Sequence, residues 1–214
     1  MFKLAAAFTL LAAPALATGL EIDIAGESNG TITIDLLEDV APNHAAQIAA
    51  LAAEGAYDGV VFHRVIDGFM AQTGDVQFGK MGDDMRRAGM GKSERPNVNA
   101  EFSDVPFDRG VVGMARSQNP NSANSQFFIM FDAGHFLNGQ YTVIGRVTDG
   151  MDVVDAIKRG EDRLAFKETM TSLGIDMPRI CRTLIVLKGE LLICSDAHTL
   201  FIKDRQRVKR ISVV

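Results

Sequence analysis

The stretch VFHRVIDGFMAQTGD, residues 61–75, brings chemically unlike groups close together. The cation Arg64 lies a few residues from the apolar side chains of Phe69 and Met70, and the uncharged amide of Gln72 follows. An arginine side chain stays protonated and presents its N–H donors in a rigid fork. If these four residues share one face of the fold, they form a hydrogen-bond donor beside an apolar pocket.

Two later segments carry further candidates. In SQFFIMF, Gln126 and Phe128 are two residues apart, so on a strand their side chains share a face. In GHFLNGQYTVIG, Phe136, Leu137 and Tyr141 lie on a predicted loop and the strand after it. The three segments together offer a cation, two amides and a set of apolar side chains.

Several other residues are explained more simply without chemistry. Phe62, Val65 and Phe127 alternate with the candidates, so we expect them in the core, and we interpret His63 as structural. GMGKS resembles the end of a phosphate-binding loop, but Arg86 stands where that loop needs its first glycine. The histidines have no metal-ligand spacing, so the sequence predicts no metal site.

The first part of the chain predicts two strands and a helix. Apolar and polar residues alternate over 20–24 and over 32–36, and the Asn-Gly pair at 29–30 predicts a tight hairpin turn between them. APNHAAQIAALAAEG has helical spacing, with Pro42 suited to the first turn and Gly55 to the end.

Four short β-rich segments follow, namely GVVFHRVI, GVVGMARS, SQFFIMF and YTVIGRV. The Gly-rich polar stretch over 74–108 predicts long loops, and GMDVVDAIKRG predicts a second helix that ends at Gly160. Many short strands with two helices and long loops predict a mainly β fold, a closed or nearly closed antiparallel barrel capped by the helices.

The composition indicates a globular chain of one domain with an appendage. The 214 residues are 47% hydrophobic and carry a net charge of −5, which gives no reason to expect nucleic acid as a partner. A chain of this length can bury a sizeable core without a disulfide or a metal. No apolar run reaches the ~20 residues that span a bilayer, so we expect no membrane partner.

The N-terminus, MFKLAAAFTLLAAPALATG, has the three parts of a secretory signal: the cation Lys3, an uncharged apolar run, and small residues ending at Ala17. We therefore predict a signal peptide over 1–17, a mature chain that begins near Thr18, and an exported protein. A buried N-terminal helix is the alternative.

Residues 161–214 differ from the rest in texture. TLIVLKGELLIC predicts two short strands about a glycine, and the basic end FIKDRQRVKRISVV predicts a solvated tail, with an anionic surface partner as the alternative. Cys181 and Cys194 both lie in this segment, and a disulfide and two free thiols both remain open.

The candidate segments, in this order along the chain, resemble the cyclophilins, a family of peptidyl-prolyl cis-trans isomerases. FHR-x-I-x-GFM-x-Q-x-GD and NSQFFI are far more specific than a lone glycine motif, and the resemblance covers roughly 20–160. It implies a closed antiparallel eight-stranded β-barrel capped by two helices over 18–160, followed by a divergent segment over 161–214. Cyclophilin chains end with a strand that closes the barrel. Residues 182–188 are one candidate for that strand, and an unrelated extension or a shifted reading frame is the alternative.

The resemblance also implies site roles. Arg64 matches the catalytic arginine of the family. The other matches are the lining of its proline pocket, two substrate-orienting glutamines, a segment whose backbone pairs with the substrate, and two positions that vary between branches. The proline pocket corresponds to Phe69, Met70, Phe128 and Leu137, and the substrate-orienting glutamines to Gln72 and Gln126. The segment whose backbone pairs with the substrate corresponds to Ala115, Arg116 and Ser117, and the two variable positions are Phe136 and Tyr141.

The two variable positions indicate a branch of the family. Phe136 stands where many eukaryotic members carry tryptophan, and Tyr141 where they carry histidine, which resembles the bacterial members. With the signal sequence, this implies a periplasmic enzyme of a Gram-negative bacterium. The tryptophan contacts cyclosporin in the family, so weak cyclosporin binding at most is implied. We expect a monomer whose partners are proline-containing peptides and unfolded exported proteins.

The expected function is the acceleration of X-Pro isomerisation in exported proteins, which assists their folding. Rotation about a peptide bond breaks no bond, so it needs neither nucleophile nor metal, and we expect no cofactor. Two other functions stay open on the sequence alone. One is a module that holds proline-containing segments with negligible turnover, and the other is a carrier barrel for small apolar ligands.

Overall fold

A computed structural model describes residues 19–25, 29–160, 184–187, 190–193 and 207–213. The predicted signal peptide over 1–17, both cysteines and most of the segment 161–214 lie outside these residues. No helix among the described residues is both long enough and apolar enough to cross a membrane.

The described residues form short strands, two α-helices and three single-turn 3₁₀ helices. In chain order they are β1 (Gly19–Ala25), β2 (Gly30–Leu36), α1 (Pro42–Ala53), β3 (Arg64–Ile66), β4 (Met70–Thr73), the 3₁₀ helix Met85–Arg87, β5 (Val111–Met114), the 3₁₀ helix Pro120–Ser122, β6 (Phe127–Met130), the 3₁₀ helix His135–Leu137, β7 (Val143–Asp149), α2 (Met151–Gly160), β8 (Leu184–Leu187), β9 (Glu190–Ile193) and β10 (Arg207–Val213). The mainly β prediction, both helices and the long loops over 74–108 are therefore confirmed.

Strands β1 to β7 form one curled antiparallel sheet in the order β1-β2-β7-β5-β6-β4-β3, and β10 adds to the outer edge of β1. The described strands β3 and β10 are the two ends of this sheet and do not pair with each other. The closed eight-stranded barrel that the resemblance implies is thus corrected, for the described residues, to an open curled sheet. Closure would require the last strand to pair on both sides, and β10 pairs with β1 alone.

The strand added to β1 is not the one that the sequence suggested. β8, which lies within residues 182–188, pairs with β9 in a separate two-stranded sheet. β10 comes from the basic C-terminal stretch that predicted a solvated tail, and it runs antiparallel to β1. The local apolar pattern of 182–188 identified a strand correctly but could not identify its partner.

The first hairpin is confirmed, but its turn is not at 29–30. Gly30 already belongs to β2, where it pairs with Ile24, so the connection is longer than a two-residue turn. A Cβ on Gly30 would lie 2.6 Å from Cγ2 of Val153. Gly30 therefore serves the close approach of α2 to β2 rather than a turn.

A tight turn connects β3 and β4, and the motif pattern of 61–75 did not predict that β4 is a separate strand. Gly68 has a φ of +66°, and the N–H of Phe69 donates to the carbonyl of Ile66 at 3.0 Å. Glycine adopts this left-handed conformation without steric cost. The turn folds the segment 61–75 back on itself, so Arg64 on β3 comes to lie beside Gln72 on β4.

Alternation along the strands separates two core clusters. The larger one joins apolar side chains of β1, β2, α1 and α2 to one face of β5, β6 and β7, and it includes Phe62, Phe127 and, at its margin, Val65, as predicted. The smaller one lies on the opposite face of β4 and β6 and includes Met70 and Phe128. A strand places successive side chains on opposite faces, so Phe127 and Phe128 belong to different clusters.

The N-terminus of α1 is held by a carboxylate from a distant loop. Glu101 accepts the backbone N–H groups of Asn43 at 3.2 Å and His44 at 3.1 Å, and it pairs with Nδ1 of His44 at 2.6 Å. Burial acts to raise the pKa of Glu101, but the hydrogen bonds from His44 and Asn43 outweigh it and hold this pKa below its usual value. The unpaired N–H groups of the first helical turn thereby gain a charged acceptor.

Candidate active site

The β3–β4 hairpin sets Arg64 beside Gln72. The two residues lie directly opposite each other in the strand register, so their side chains share a face. Nη1 of Arg64 donates to Oε1 of Gln72 at 3.4 Å. The Arg64 side chain is otherwise exposed and lines a cavity.

A line of amides continues from Gln72. Its Nε2 donates to Oε1 of Gln126 at 2.8 Å. Nε2 of Gln126 in turn donates to the carbonyls of Gly89 at 3.1 Å and Gly91 at 2.7 Å. We refer to Arg64, Gln72 and Gln126 as the polar wall.

Beside the polar wall, on the same face of β4 and β6, lie three side chains that are almost fully buried. Met70 is 1% exposed, Phe128 5% and Leu137 6%, and we refer to them as the apolar wall. All three belong to the smaller core cluster, and Phe107 stacks on Phe128 with ring centroids 5.8 Å apart. The apolar wall is therefore the surface of a packed core, which fixes its shape.

Aromatic rings and a second cation form the rim of the cavity. Phe136 is 66% exposed and lies 5.4 Å from Phe69 between ring centroids. Tyr141 meets Phe128 edge to face at 6.0 Å, and the guanidinium of Arg116 lies 4.3 Å from the Tyr141 ring centroid. The cation–π contact and the tilted and edge-to-face ring contacts restrain these side chains around the opening.

The cavity that both walls line has a volume of about 280 Å³. Ten of the twelve predicted site residues line it, so the three sequence segments converge in space. Its charged residues are both cations and none is a carboxylate. The lining residues are Arg64, Phe69, Met70, Gln72, Ala115, Arg116, Phe128, Phe136, Leu137 and Tyr141.

The two predicted residues outside this cavity, Ser117 and Gln126, line a neighbouring one of about 500 Å³. The two cavities share Gln72, Ala115 and Arg116, so they form adjoining parts of one groove. A larger cleft of about 830 Å³ lies between α1 and the residues that follow Val76, and it contains none of the predicted site residues.

Sequence reasoning missed the residues that hold the polar wall from behind. Asp75 is fully buried and accepts the N–H groups of Gly89 and Gly91, whose carbonyls hold Gln126. As a local pattern, GMGKS is only an incomplete phosphate loop, and Asp75 is only the last residue of the GFM-x-Q-x-GD motif. The spacing of two glycines around one residue was the available clue, since it marks backbone that approaches another group closely.

The arrangement can bind a small apolar ring and offer hydrogen-bond donors beside it. Among the described residues, no group of three or more His, Cys, Asp or Glu side chains converges to hold a metal ion. Residues 20–175 match the family described as cyclophilin type peptidyl-prolyl cis-trans isomerase. The chain belongs to the cyclophilin family.

Relatives at the sequence level carry the same activity in their names. The chain is 59% identical over 165 residues to a probable peptidyl-prolyl cis-trans isomerase of Brucella suis, covering 74% of this chain and 84% of that protein. It is 37% identical over 139 residues to peptidyl-prolyl cis-trans isomerase B of Escherichia coli, covering 61% of this chain and 80% of that protein. This cyclophilin is a peptidyl-prolyl cis-trans isomerase.

Solved structures agree on the fold. A cyclophilin type isomerase of Cryptosporidium parvum superposes with a TM-score of 0.63 at 22% identity, covering 92% of this chain and 98% of that one. The same protein has been solved in the presence of the dipeptide Ala-Pro, and it matches with a TM-score of 0.63 at 23% identity. At this identity the likeness establishes the cyclophilin fold.

Proposed function

We propose that this cyclophilin isomerises X-Pro bonds in exported proteins, that Arg64 is its catalytic group, and that the apolar wall binds the proline ring. The convergence of Arg64 with Met70, Phe128 and Leu137 around one cavity carries the proposal. The Ala-Pro dipeptide used with the related Cryptosporidium cyclophilin supports a proline-containing peptide as the substrate.

The chemistry required is small. Resonance in the amide sets a barrier of about 20 kcal/mol to rotation, and this resonance is lost when the bond is twisted. The proline nitrogen then regains a lone pair that neither planar isomer offers. A donor aimed at that nitrogen binds the twisted state more tightly than either planar state, which is the condition for catalysis.

Arg64 is suited to be that donor. It is exposed at the cavity mouth, and its bond to Gln72 occupies Nη1 and leaves other N–H groups of the fork to point at a substrate. Gln72 can orient the guanidinium and substrate oxygens without adding a charge that would compete for it. Because the donor is a guanidinium, it needs no change of protonation during the reaction.

The apolar wall restrains one side of the rotating bond. A proline ring held against Met70, Phe128 and Leu137 would stay fixed while the carbonyl before it turns. The backbone of β5 and its continuation would hold the peptide chain. The N–H groups of Ala115 and Ser117 already donate inside the protein, to the carbonyl of Gln126 and to Oγ of Ser122, each at 2.9 Å. Because those two N–H groups are engaged, we assign substrate pairing to the carbonyl of Ala115 and to the backbone of Arg116.

The export part of the proposal rests on the N-terminal sequence. Lys3, the apolar run and the small residues ending at Ala17 have the plan of a secretory signal. Exported chains fold outside the cytoplasm, and X-Pro isomerisation is slow enough to limit that folding. Assistance to such folding, in the periplasm, is the role we assign to the enzyme.

Two measurements test the proposal. The chain should accelerate the slow refolding phase of an exported protein with a native cis-proline, and cell fractionation should recover a shortened chain from the periplasm. A slow phase that the enzyme leaves unchanged would contradict the folding role. A full-length chain that stays in the cytoplasm would contradict export while leaving the isomerase activity untouched.

A further inference from the structure

A continuous line of hydrogen bonds joins the buried carboxylate of Asp75 to the guanidinium of Arg64. We propose that Asp75 is a positioning residue that sets the orientation of Arg64 through Gln126 and Gln72. This proposal rests on the catalytic role of Arg64 and extends it to a residue that touches no substrate.

The line begins at a carboxylate that has been fully withdrawn from water. Asp75 is 0% exposed, and its two oxygens accept four backbone N–H groups. Oδ1 accepts from Gln77 at 3.0 Å and Phe78 at 2.8 Å. Oδ2 accepts from Gly89 at 2.7 Å and Gly91 at 2.9 Å. Charge-assisted hydrogen bonds of this kind are stronger than neutral ones, so the carboxylate fixes where the second pair of residues lies.

Two glycines are needed for this approach. Gly89 has a φ of +93°, a conformation that side-chain-bearing residues rarely adopt. A Cβ on Gly91 would collide with the Asp75 carboxylate and would lie 2.7 Å from Cβ of Gln77. The backbone at 89–91 is thus pulled against Asp75, and its carbonyls are turned toward the polar wall.

Those carbonyls decide which way the glutamine amides face. Both N–H groups of the Gln126 amide are used, because Nε2 donates to the carbonyls of Gly89 and Gly91. Its oxygen must therefore face Gln72, whose Nε2 donates to it at 2.8 Å. The oxygen of Gln72 is then left facing Arg64, whose Nη1 donates to it at 3.4 Å.

The orientation of each amide in this line depends on the group before it, starting from the carbonyls at 89–91. If the carbonyls at 89–91 moved away, the Gln126 amide could turn over and offer its NH₂ group to Gln72. Gln72 would turn in response and present its own NH₂ group to the guanidinium, which has donors and no acceptor. Arg64 would lose its anchor. Asp75 therefore acts on the reacting end of the site by holding a loop in place.

The test uses four variants of the full chain and one control. Asp75→Asn has nearly the same shape, but its single carbonyl oxygen and neutral NH₂ group cannot accept all four backbone N–H groups that the carboxylate accepts. It is combined with Gln126→Ala as a double mutant, and Arg64→Ala is measured alongside. The control is Glu101→Gln, which weakens a carboxylate that accepts backbone N–H groups at α1, outside the cavity lining.

Asp75→Asn should lower kcat/KM for a proline peptide by about tenfold, less than the roughly 100-fold cost of a 1 Å misplacement, because Asp75 acts on Arg64 only through two amides. The double mutant should match Gln126→Ala within about twofold, because Asp75 acts through Gln126. Glu101→Gln should keep kcat/KM within about twofold per folded molecule. Losses from Asp75→Asn and Gln126→Ala that multiply would overturn the proposal, as would wild-type kcat/KM in Asp75→Asn.

A second measurement covers the case in which Asp75→Asn does not fold. Coupling between two sites is reciprocal, so removing the Gln126 side chain should loosen the N–H groups that Asp75 accepts. In Gln126→Ala, the amides of Gly89 and Gly91 should exchange with solvent about two- to tenfold faster, the worth of one hydrogen bond. Unchanged exchange overturns the proposal.

The role of Arg64 is tested separately. If Arg64→Ala keeps wild-type kcat/KM, the catalytic assignment fails and the positioning role falls with it. If Arg64→Ala loses activity while Asp75→Asn does not, only the positioning role is overturned.

Discussion

The two walls of the active-site cavity are built by different means. The apolar wall is the outer surface of a core cluster, and its three side chains are at most 6% exposed. The polar wall is carried by the short strands β3 and β4 at the end of the sheet and by the residue before β6, and side-chain hydrogen bonds connect its members.

The two walls should therefore contribute differently to the free energy of unfolding and to catalytic activity. Changes in the apolar wall remove buried contacts, so they should cost folding free energy together with substrate affinity. Changes in the polar wall remove exposed or half-buried amides and a guanidinium, so they should cost activity at nearly constant stability. Each wall can therefore be disabled with a distinct signature.

Removal of Arg64 should have the largest effect on catalysis. Arg64→Ala deletes the donor proposed for the proline nitrogen, and the loss of one such donor costs about 100- to 1,000-fold in kcat. The free energy of unfolding should change by less than about 0.5 kcal/mol, because the side chain is exposed. Peptide isomerisation kinetics and denaturant unfolding measure the two effects. Arg64→Lys, which keeps charge but not the fork, should fall between alanine and wild type.

Truncation of the apolar wall should give the opposite signature. Met70→Ala should destabilise the fold by about 2–5 kcal/mol and raise KM, because it empties part of the cavity lining. Met114→Ala is the matched control, since Met114 is also 1% exposed but belongs to the larger core cluster. Both variants should lose similar stability, and only Met70→Ala should raise KM for the folded protein. Equal KM values in both variants would show that Met70 is core alone.

A smaller effect is expected on cyclosporin affinity when Phe136 at the rim of the cavity is replaced. Phe136→Trp should tighten cyclosporin binding by about fivefold, the worth of one added N–H hydrogen bond. Phe102→Trp is the control, since Phe102 is also exposed, at 44%, and does not line the cavity. Calorimetric titration of both variants measures the effect. Equal cyclosporin affinity in both variants would contradict the position assigned to Phe136.

The smallest effect should be on stability and should come from Glu101, which lies outside both walls. The pKa of Glu101 is lower in the folded state, so its contribution to stability is present above the unfolded pKa and is lost as pH falls through the folded pKa. Glu101→Gln should therefore be less stable by about 1 kcal/mol at neutral pH. The deficit should shrink as pH drops below the ordinary glutamate range, near 4.5. A deficit that stays constant from pH 7 to pH 3 would rule out this linkage.

The sequence predicted which residues share a cavity better than it predicted the sheet. Arg64, Met70 and Phe128 could be assigned to one pocket because family motifs and strand alternation both depend on local order along the chain. The prediction of a turn at 29–30 was wrong because Gly30 is needed for the close approach of Val153, a tertiary contact that no local pattern reveals. The partner of β1 was missed for the same reason, since strand pairing joins residues far apart in sequence.

The polar wall shows the same limit on a smaller scale. Gln72 and Gln126 were assigned from motifs, but the residue behind them was not. The role of Asp75 is recognised only when its four backbone donors are seen together. Two of those donors, Gly89 and Gly91, lie 14 and 16 residues further along the chain.

The division of labour between the walls can be tested directly on the bound peptide. NMR exchange spectroscopy gives both the dissociation constant of an Ala-Pro peptide and its cis-trans exchange rate on the enzyme. Arg64→Ala should bind the peptide within about threefold of wild type yet slow the on-enzyme exchange about 100-fold or more. Met70→Ala should weaken binding and leave the on-enzyme rate within about tenfold of wild type. An Arg64→Ala enzyme that exchanges bound peptide at the wild-type rate would contradict the account.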